Sequence, residues 1–243
     1  MVCKNCNNEF EGNYCNNCGQ RSVKDRITLK EIISDFFQSF THVDKGIIFL
    51  IKDLFIRPDK VSKEYIAGRR KKYFSPFKYL IFTVTLSAFI TLKFSSYELT
   101  GINIITENIS KYQHFMNSFA VFMYKYLNIL LFFIIPVSSF FSYLIYKKSG
   151  YNYAENLIFN SYIAGQRYII YLIFSPLLFI PGKEWHFEEI YLIFWNIYFI
   201  YSFQRFFGGK IALNIVKYIL VLLLSFVIIQ GLSMGVFALF FYK

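Results

Sequence analysis

Four cysteines near the N-terminus have the residue type and the spacing of a metal site. Cys3, Cys6, Cys15 and Cys18 follow the pattern C-x2-C-x8-C-x2-C. Each C-x2-C pair can turn both thiolates to one side, and two such pairs complete the tetrahedral four-sulfur site that suits Zn²⁺. We expect a structural zinc ion, because four protein ligands leave no open coordination position. Two alternatives remain: two disulfides, which the cytosol disfavours, and four unrelated thiols, which the paired spacing disfavours.

The segment around the cysteines, residues 1–26, is predicted to be a small zinc ribbon. So short a segment cannot bury a hydrophobic core, and metal binding would supply its folding energy. Between Cys3 and Cys18 the one basic residue is Lys4, set against Glu9 and Glu11. This charge balance argues against nucleic acid as a partner and favours docking of a cytosolic protein.

Arg167 is the other residue whose type and position indicate chemistry. It lies near the middle of a long apolar stretch, and the other apolar stretches offer no acidic residue at a matching depth. A charge at the middle of a membrane span is costly and marks a functional site by default. The predicted intramembrane polar site consists of Arg167, Gln166, Asn160 and Asn196. The alternatives are an arginine that caps broken backbone near Gly165, or one that lies closer to the interface.

Known catalytic motifs do not occur in the sequence. It contains no P-loop, no G-x-S-x-G, no H-E-x-x-H and no G-x-G-x-x-G, and its three histidines lie far apart, at His42, His114 and His186. We therefore predict no enzymatic activity.

The composition indicates that membrane helices position these residues. Hydrophobic residues make up 56% of the 243 positions and fall in long runs, which is too apolar for an ordinary soluble domain. The predicted fold class is an all-α polytopic membrane protein of about five transmembrane helices, with a small N-terminal zinc ribbon and amphipathic juxtamembrane helices. The five-span domain is predicted over 74–243, with spans at 74–94, 126–146, 157–180, 190–207 and 213–242, and with a polar loop at 95–118.

Residues 27–73 are predicted to hold two amphipathic helices. Thr28 and Glu31 have the spacing of a capping box. An apolar stripe at helical spacing follows it and consists of Leu29, Ile32, Ile33, Phe36, Phe37 and Phe40. A second helix is predicted from Asp44 to Pro58. We expect both helices to lie in the headgroup interface or to cover the spans; packing against the spans, or a soluble helical pair, is the alternative.

A basic hinge over residues 57–78 joins these helices to the first span. It holds a short predicted helix, 60–67, which Gly68 ends. Its cations can attract an anionic leaflet, or they are only a signal of orientation. These cations are Arg57, Lys60, Lys63, Arg69, Arg70, Lys71, Lys72 and Lys78.

The charges also predict an orientation. No secretory signal precedes the cysteines, so the N-terminus is expected in the cytoplasm, and five spans then put the C-terminus outside. The basic residues beside the predicted cytoplasmic turns agree with this, namely Lys147, Lys148, Arg205, Lys210 and Lys217. In the last span Gly231 and Gly235 permit close helix contact. Packing within the chain is favoured there, and homo-oligomerisation is the alternative.

Three stretches resemble known proteins. The run Y-C-N-N-C-G-Q at 14–20 resembles the short zinc-ribbon modules at the N-termini of many bacterial membrane proteins. The run R-P-x-K-V-x-x-E-Y-I-x-G-x-R-x-x-Y-x-x-P-x-x-Y-L at 57–80 resembles the signature of a bacterial family of uncharacterised membrane proteins that begin with such a ribbon. This resemblance implies a multi-pass protein of the inner membrane and no catalytic residue. Residues 195–212 are similar to the last two spans of Yip-type five-span proteins.

Two functions are expected from these features. The first is a membrane adaptor or scaffold, whose partners are the lipid bilayer and a cytosolic protein docked on the ribbon. The alternative is a transporter or lipid-handling protein with a polar intramembrane pocket around Arg167.

Overall fold

The computed structural model describes residues 1–22, 26–32, 46–94, 111–179 and 184–242. This part of the chain is mostly helical and contains no extended strand. Short 3-10 segments occupy Lys147–Ser149 and Ser175–Phe179, and a π-helical turn occupies Phe237–Phe241. The helices are α1 (Ile47–Ile56), α2 (Pro58–Ile66), α3 (Pro76–Phe94), α4 (Lys111–Lys125), α5 (Leu127–Ile145), α6 (Tyr153–Phe174), α7 (Glu184–Phe207) and α8 (Ile211–Val236).

The predicted capping box opens a helical turn at residues 29–32. The Glu31 backbone N–H donates to Thr28 Oγ1 at 3.4 Å, and the Thr28 N–H donates to Glu31 Oε2 at 3.3 Å. This start of the helix is as predicted. The rest of its apolar stripe, from Ile33 onward, lies outside the described residues.

α6 is the central helix of the protein. Its side chains are buried on nearly every side between Ala154 and Ile170, because α1, α2, α3, α5 and α7 all pack against it. Its N-terminus is fixed by a second capping box, in which Asn152 Oδ1 accepts from the Glu155 N–H at 2.9 Å and Glu155 Oε2 accepts from the Asn152 N–H at 2.8 Å. Every neighbouring helix is therefore placed relative to α6.

The polar residues of α6 are satisfied by the helices around it. Gln166 is fully buried; its Oε1 accepts from the Tyr79 hydroxyl of α3, and its Nε2 donates to the carbonyl of Ile51 in α1 at 3.3 Å. On another side, Asn160 Nδ2 donates to Ser142 Oγ of α5 at 3.0 Å. A buried polar group costs free energy unless it is hydrogen-bonded. These bonds therefore allow a polar helix to sit in the middle of an apolar bundle.

Gly165 is a point of close contact between α3 and α6. The ring of Tyr79 occupies the space beside the glycine, since a Cβ added to Gly165 would lie 2.6 Å from Tyr79 Cδ1. Tyr79 is itself fully buried and cannot move aside easily. The glycine therefore allows α3 to pack on α6. The backbone of α6 is continuous at this position, so the predicted alternative of a broken backbone near Gly165 is wrong.

α1 and α2 pack on the helical body through one face. Leu50, Leu54 and Val61 are fully buried. The last carbonyls of α1 accept hydrogen bonds from α7, since Tyr198 donates to the Leu54 carbonyl at 3.1 Å. The opposite face of α1 is also apolar and is open, with Ile48 80% exposed. The packing alternative thus applies to one face of this helix pair, and a position of the apolar outer face of α1 in the headgroup interface stays a prediction.

One described helix is long and apolar enough to cross a membrane: Ile211–Phe241, which joins α8 to the π-helical turn. The apolar stretches Pro76–Ile90 and Phe132–Ile145 are shorter. Length and apolar character therefore do not support about five spans. α6 was predicted as one of the five spans, but its charged and amide side chains make it less apolar than a typical span. These side chains bond to the neighbouring helices because α6 lies in the centre.

The predicted polar loop at 95–118 is wrong for its last part. Residues 95–110 lie outside the described residues, but α4 already begins at Lys111. Phe115, Phe119 and Phe122 lie on one side of α4 and contact Phe237, with ring centroids 5.3–5.5 Å apart. This aromatic contact buries one side of α4. The polar residues around the three phenylalanines led the sequence analysis to predict a loop there.

We predict that Gly165→Ala destabilises the protein by about 1–3 kcal/mol, because the added methyl group overpacks the α3–α6 contact. Thermal unfolding of the purified full chain in detergent measures this. The control is Gly231→Ala, where an added Cβ meets no atom within 4 Å. Equal melting temperatures for the two variants would contradict the close contact.

Candidate metal centre and its docking on the hinge

The four cysteine sulfurs converge on one point. Their Sγ atoms all lie within 4.8 Å of one another, with Cys3 and Cys18 at 3.6 Å and Cys6 and Cys15 at 3.6 Å. Tetrahedral coordination with metal–sulfur bonds of about 2.3 Å places sulfurs about 3.8 Å apart. All four thiols are free, so the disulfide alternative is wrong. The cluster could therefore hold a metal ion with four thiolates.

The two C-x2-C pairs form matching knuckles. In the first, the Asn7 N–H donates to the Cys3 carbonyl at 2.9 Å; in the second, the Gly19 N–H donates to the Cys15 carbonyl at 2.8 Å. Both turns require a left-handed residue after the second cysteine, and Asn7 (φ 58°) and Gly19 (φ 66°) provide it at low cost. Phe10 is the buried side chain that packs against the sulfurs. The turns point the thiols of both pairs toward one another.

The backbone also prepares the thiols for a cation. The backbone N–H of Cys18 lowers the pKa of Cys15 to about 6, whereas burial raises the pKa of Cys18 to about 11. Four thiolates so close together repel one another unless a cation lies between them. A metal ion satisfies this requirement.

The ribbon is docked on the hinge through the amide of Gln20. This side chain is buried; its Nε2 donates to the Gly68 carbonyl at 2.7 Å, and its Oε1 accepts from the N–H groups of Arg70 (3.0 Å) and Lys71 (3.2 Å). The amide thus satisfies three backbone groups of residues 68–71, called the hinge loop below, which would otherwise need backbone partners. Since Gln20 comes two residues after Cys18, the metal site and the hinge are coupled through a very short piece of chain.

Lys4 provides a second contact between the ribbon and the hinge. A Cβ added to Gly68 would lie 2.8 Å from Lys4 Cδ, so the aliphatic part of the lysine lies directly on the glycine. Gly68 also has φ +102°, a conformation that other residues rarely adopt. Two separate reasons therefore favour glycine at this position: the left-handed conformation that ends α2, and the contact with the Lys4 side chain of the ribbon.

The chain that leaves the ribbon is tied to the start of α6. Arg26 Nε donates to Glu155 Oε1 at 2.6 Å, and Arg26 Nη2 donates to the Gly150 carbonyl. Hydrogen bonding to Glu155 raises the pKa of Arg26. Asn152 Nδ2 adds a bond to the Ile27 carbonyl at 3.1 Å. The ribbon is thus held at two places, the hinge and the N-terminus of the central helix.

Acidic residues pair with most of the hinge cations. Glu64 accepts from Lys72 Nζ at 2.6 Å, from Tyr73 at 2.8 Å and from Arg69 Nη1 at 3.3 Å. Burial acts to raise the pKa of Glu64, but the bonds from Lys72 and Tyr73 outweigh it and hold this pKa below its ordinary value. The block at 69–72 is therefore folded around a carboxylate.

The remaining hinge cations divide into paired and open groups. Arg57 pairs with Asp53 (3.0 Å), Lys63 with Asp59 (3.5 Å) and Arg70 with Glu31 (3.6 Å). The ammonium of Lys78 lies 5.7 Å above the ring of Phe74. Lys60 and Lys71 are exposed and form no ion pair in the described part of the chain. The positive charge that is open at this end is smaller than the sequence count indicates.

The turns predicted to be cytoplasmic meet at the ribbon end of the helices. The turn at Gly150 contacts Arg26, and Lys63 Nζ donates to the Arg205 carbonyl at 3.2 Å. Lys217 lies 4.9 Å above the ring of Tyr146. From there α8 carries the chain to the other end, where Tyr242 contacts α4. The basic turns, the hinge and the ribbon thus share one end of the structure.

The predicted polar site around Arg167 is divided between different helix faces. Arg167 Nε donates to the Tyr191 hydroxyl of α7 at 2.7 Å, and Arg167 lines one cavity together with Asn160. Gln166 instead bonds to α1 and α3, and Asn196 accepts from Tyr218 of α8 at 2.9 Å.

Gly231 and Gly235 do not pack within the chain. Both are exposed, and a Cβ added at either position meets no described atom within 4 Å. The predicted intramolecular contact is absent from the described residues because this face of α8 points outward.

The sequence prediction missed Gln20, Arg26 and Glu155 as docking residues. Gln20 ends the run that resembles zinc-ribbon modules, so a signal was present. Asn152 and Glu155 have the N-x-x-E spacing of a capping box. No local pattern marks the pairing of Arg26 with Glu155, which are 129 positions apart.

The architecture defines a class of protein in which a four-cysteine ribbon docks on a mostly helical body. Residues 44–88 match a family described as "Protein of unknown function (DUF3667)". The match and the cysteine cluster together fit a family of unknown function with a zinc-ribbon-like N-terminus. No curated protein and no solved structure matches the chain. The matched residues include α1, α2 and the hinge loop, on which the ribbon docks.

We predict that the purified chain holds one metal ion and that Cys15→Ser lowers its metal content about tenfold or more, because metal affinity depends on the deprotonated ligand set. Elemental analysis by mass spectrometry after gel filtration measures the metal. Asn17→Ser, an exposed knuckle position that offers no ligand, is the control. Equal metal in the cysteine variant and the wild type would contradict the site.

We also predict that Gln20→Ala, or removal of the metal by a chelator, speeds tryptic cleavage at residues 69–72 about tenfold. Three hydrogen bonds to the hinge loop are lost, each worth about 1 kcal/mol. Mass spectrometry of the fragments locates and times the cuts. Asn17→Ala is the matched control, and an unchanged rate in Gln20→Ala would show that the amide does not hold the loop.

Proposed function

We propose that this protein is a multi-pass membrane adaptor whose metal-bound ribbon docks a cytosolic protein. The outer surfaces of several helices support the membrane assignment. Large apolar side chains are exposed on α3, α5, α7 and α8, for example Phe89, Phe133, Ile197 and Val227. Soluble proteins rarely expose apolar areas of this extent. A lipid environment would cover them, including on helices that do not by themselves have the length and apolar character of a span.

We propose zinc as the metal of the ribbon. Four thiolates in a tetrahedral arrangement are the ligand set that zinc accepts in structural sites. Four protein thiolates fill the tetrahedral coordination of zinc, so the proposed site is structural. Zinc would supply folding energy to a ribbon whose own apolar core is little more than Phe10.

The proposed orientation puts the ribbon in the cytoplasm and the C-terminus outside. Its support is that the basic turns, the hinge and the ribbon share one end, as the positive-inside rule requires of a cytoplasmic face. The resemblance of residues 57–80 to a bacterial membrane family makes the inner membrane of a bacterium the proposed location.

The observation that carries the adaptor function is the docking of one side of the ribbon. Gln20 and Lys4 face the hinge, which fixes the ribbon and leaves its other side open. The exposed residues of the ribbon include polar and acidic side chains and one aromatic ring, that of Tyr14. An exposed aromatic ring on a rigid support is a suitable anchor for a protein partner. The open residues are Glu9, Glu11, Tyr14, Asn16 and Asn17.

We predict that a photo-crosslinking amino acid at position 14 captures a defined cytosolic protein in native membranes. Chelation and Cys15→Ser should each abolish the product, because both unfold the surface that presents this position. The same crosslinker at Leu239, an exposed residue at the other end of the protein, is the matched control and should give no such product.

The adaptor proposal fails if chelation leaves the products captured at position 14 unchanged. It also fails if no product forms there in membranes where the metal content and the hinge protection are both intact.

A further inference from the structure

A small cavity lies where α5, α6, α7 and α8 meet. Its volume is about 80 Å³, against the roughly 15 Å³ on the same measure that one water molecule needs. Aliphatic and aromatic side chains make up most of its wall. Among the described residues of this wall Arg167 is the charged one, and none of them is a carboxylate.

The guanidinium of Arg167 is held by its Nε and leaves other donors uncommitted. Nε donates to the Tyr191 hydroxyl at 2.7 Å, and the group lies 5.2 Å from the ring centroid of Trp195. A guanidinium has five N–H donors in a planar fork. The terminal nitrogens have no hydrogen-bond acceptor and no carboxylate partner among the described residues. A positive charge with several free donors is therefore positioned at an apolar cavity.

The other polar groups of the cavity wall do not neutralise this charge. Ser138 Oγ donates to the Ile135 carbonyl at 3.0 Å, and Ser225 Oγ donates to the Val221 carbonyl at 2.6 Å. Asn160 donates to Ser142 and to its own helix. These groups and the hydroxyls of Tyr168 and Tyr218 are neutral, so the described part of the wall has a net positive charge.

Arg167 is partly buried, and the part of its charge that lies against apolar side chains loses hydration unless it is paired. Tyrosine and tryptophan contacts offset only part of this cost, because a cation–π contact is worth about 1–2 kcal/mol. An anion of matching geometry would offset the rest. The fork of arginine fits the oxygens of a phosphate group through two parallel hydrogen bonds.

We propose that this cavity binds an anionic phosphate group, with Arg167 as its ligand. The phosphate belongs either to a lipid headgroup or to a free anion. The site lies apart from the ribbon and the hinge and involves none of their residues, so it stands or falls independently of the adaptor function.

Tryptophan fluorescence tests the proposal directly. The chain has two tryptophans, Trp185 and Trp195. In a Trp185→Phe background the signal comes from Trp195, which lines the cavity and contacts Arg167. The delipidated full chain in detergent is titrated with inorganic phosphate in one arm and with micellar phosphatidylglycerol in the other. A saturable change in the first arm identifies a free anion, and a change confined to the second identifies a lipid headgroup.

We expect Arg167→Gln to weaken the apparent affinity about tenfold or more, since hydrogen bonds to a charged group are worth about 1.5–3 kcal/mol. Arg205→Gln removes the same charge from an exposed position outside the cavity and should bind as the wild type does. Ala164→Leu keeps the arginine but fills the cavity, and should also weaken binding about tenfold.

Absence of a saturable change with both probes overturns the proposal. So does an affinity in Arg167→Gln within about twofold of the wild type. If Arg167→Gln does not fold, Ala164→Leu decides: weaker binding supports the site, and unchanged binding overturns it.

Discussion

The buried amide of Gln20 is the contact on which the arrangement of the two parts of this protein depends. It bonds to a carbonyl and two N–H groups of the hinge loop, and it lies two residues after the last cysteine. A glutamine can bond in this way only when the chain beside it has a fixed conformation. The cysteine knuckle fixes that conformation. The cysteine cluster and the hinge are therefore one structural unit, although the hinge is separated from the cysteines by about fifty residues of sequence.

A second constraint organises the helical body: the polar side chains of α6 must be satisfied away from water. Gln166, Asn160 and Tyr162 achieve this by bonding to α1, α3, α5 and the segment before α3. A helix with such bonds on several sides belongs in the centre. Arg167 is the exception, since its bond to Tyr191 uses one donor of five. That contrast singles out the cavity beside it.

The sequence predicted the features that short-range patterns encode. The spacing of the cysteines predicted the cluster, Thr28 and Glu31 predicted the start of a helix, Pro58 marked the end of α1, and Gly68 marked the end of α2. It could not predict which faces of the helices meet. Nothing local indicates that Arg26 bonds to Glu155, or that Gly165 accepts the ring of Tyr79, because those contacts depend on the tertiary arrangement. The sequence analysis found Asn160, Gln166 and Arg167 in α6 and assigned them to one polar site. In the structure each of them bonds to a different neighbouring helix.

The measurement that tests the central claim most directly is hydrogen exchange at the amides of Arg70 and Lys71, with and without metal. Both N–H groups donate to Gln20 Oε1 in the docked ribbon. If the metal centre holds the hinge, these amides exchange slowly in the metal-bound protein and at least about tenfold faster after chelation. Amides in the middle of α6 should be unaffected and serve as the internal reference. Equal exchange at Arg70 and Lys71 in both states would contradict the coupling of the ribbon to the hinge.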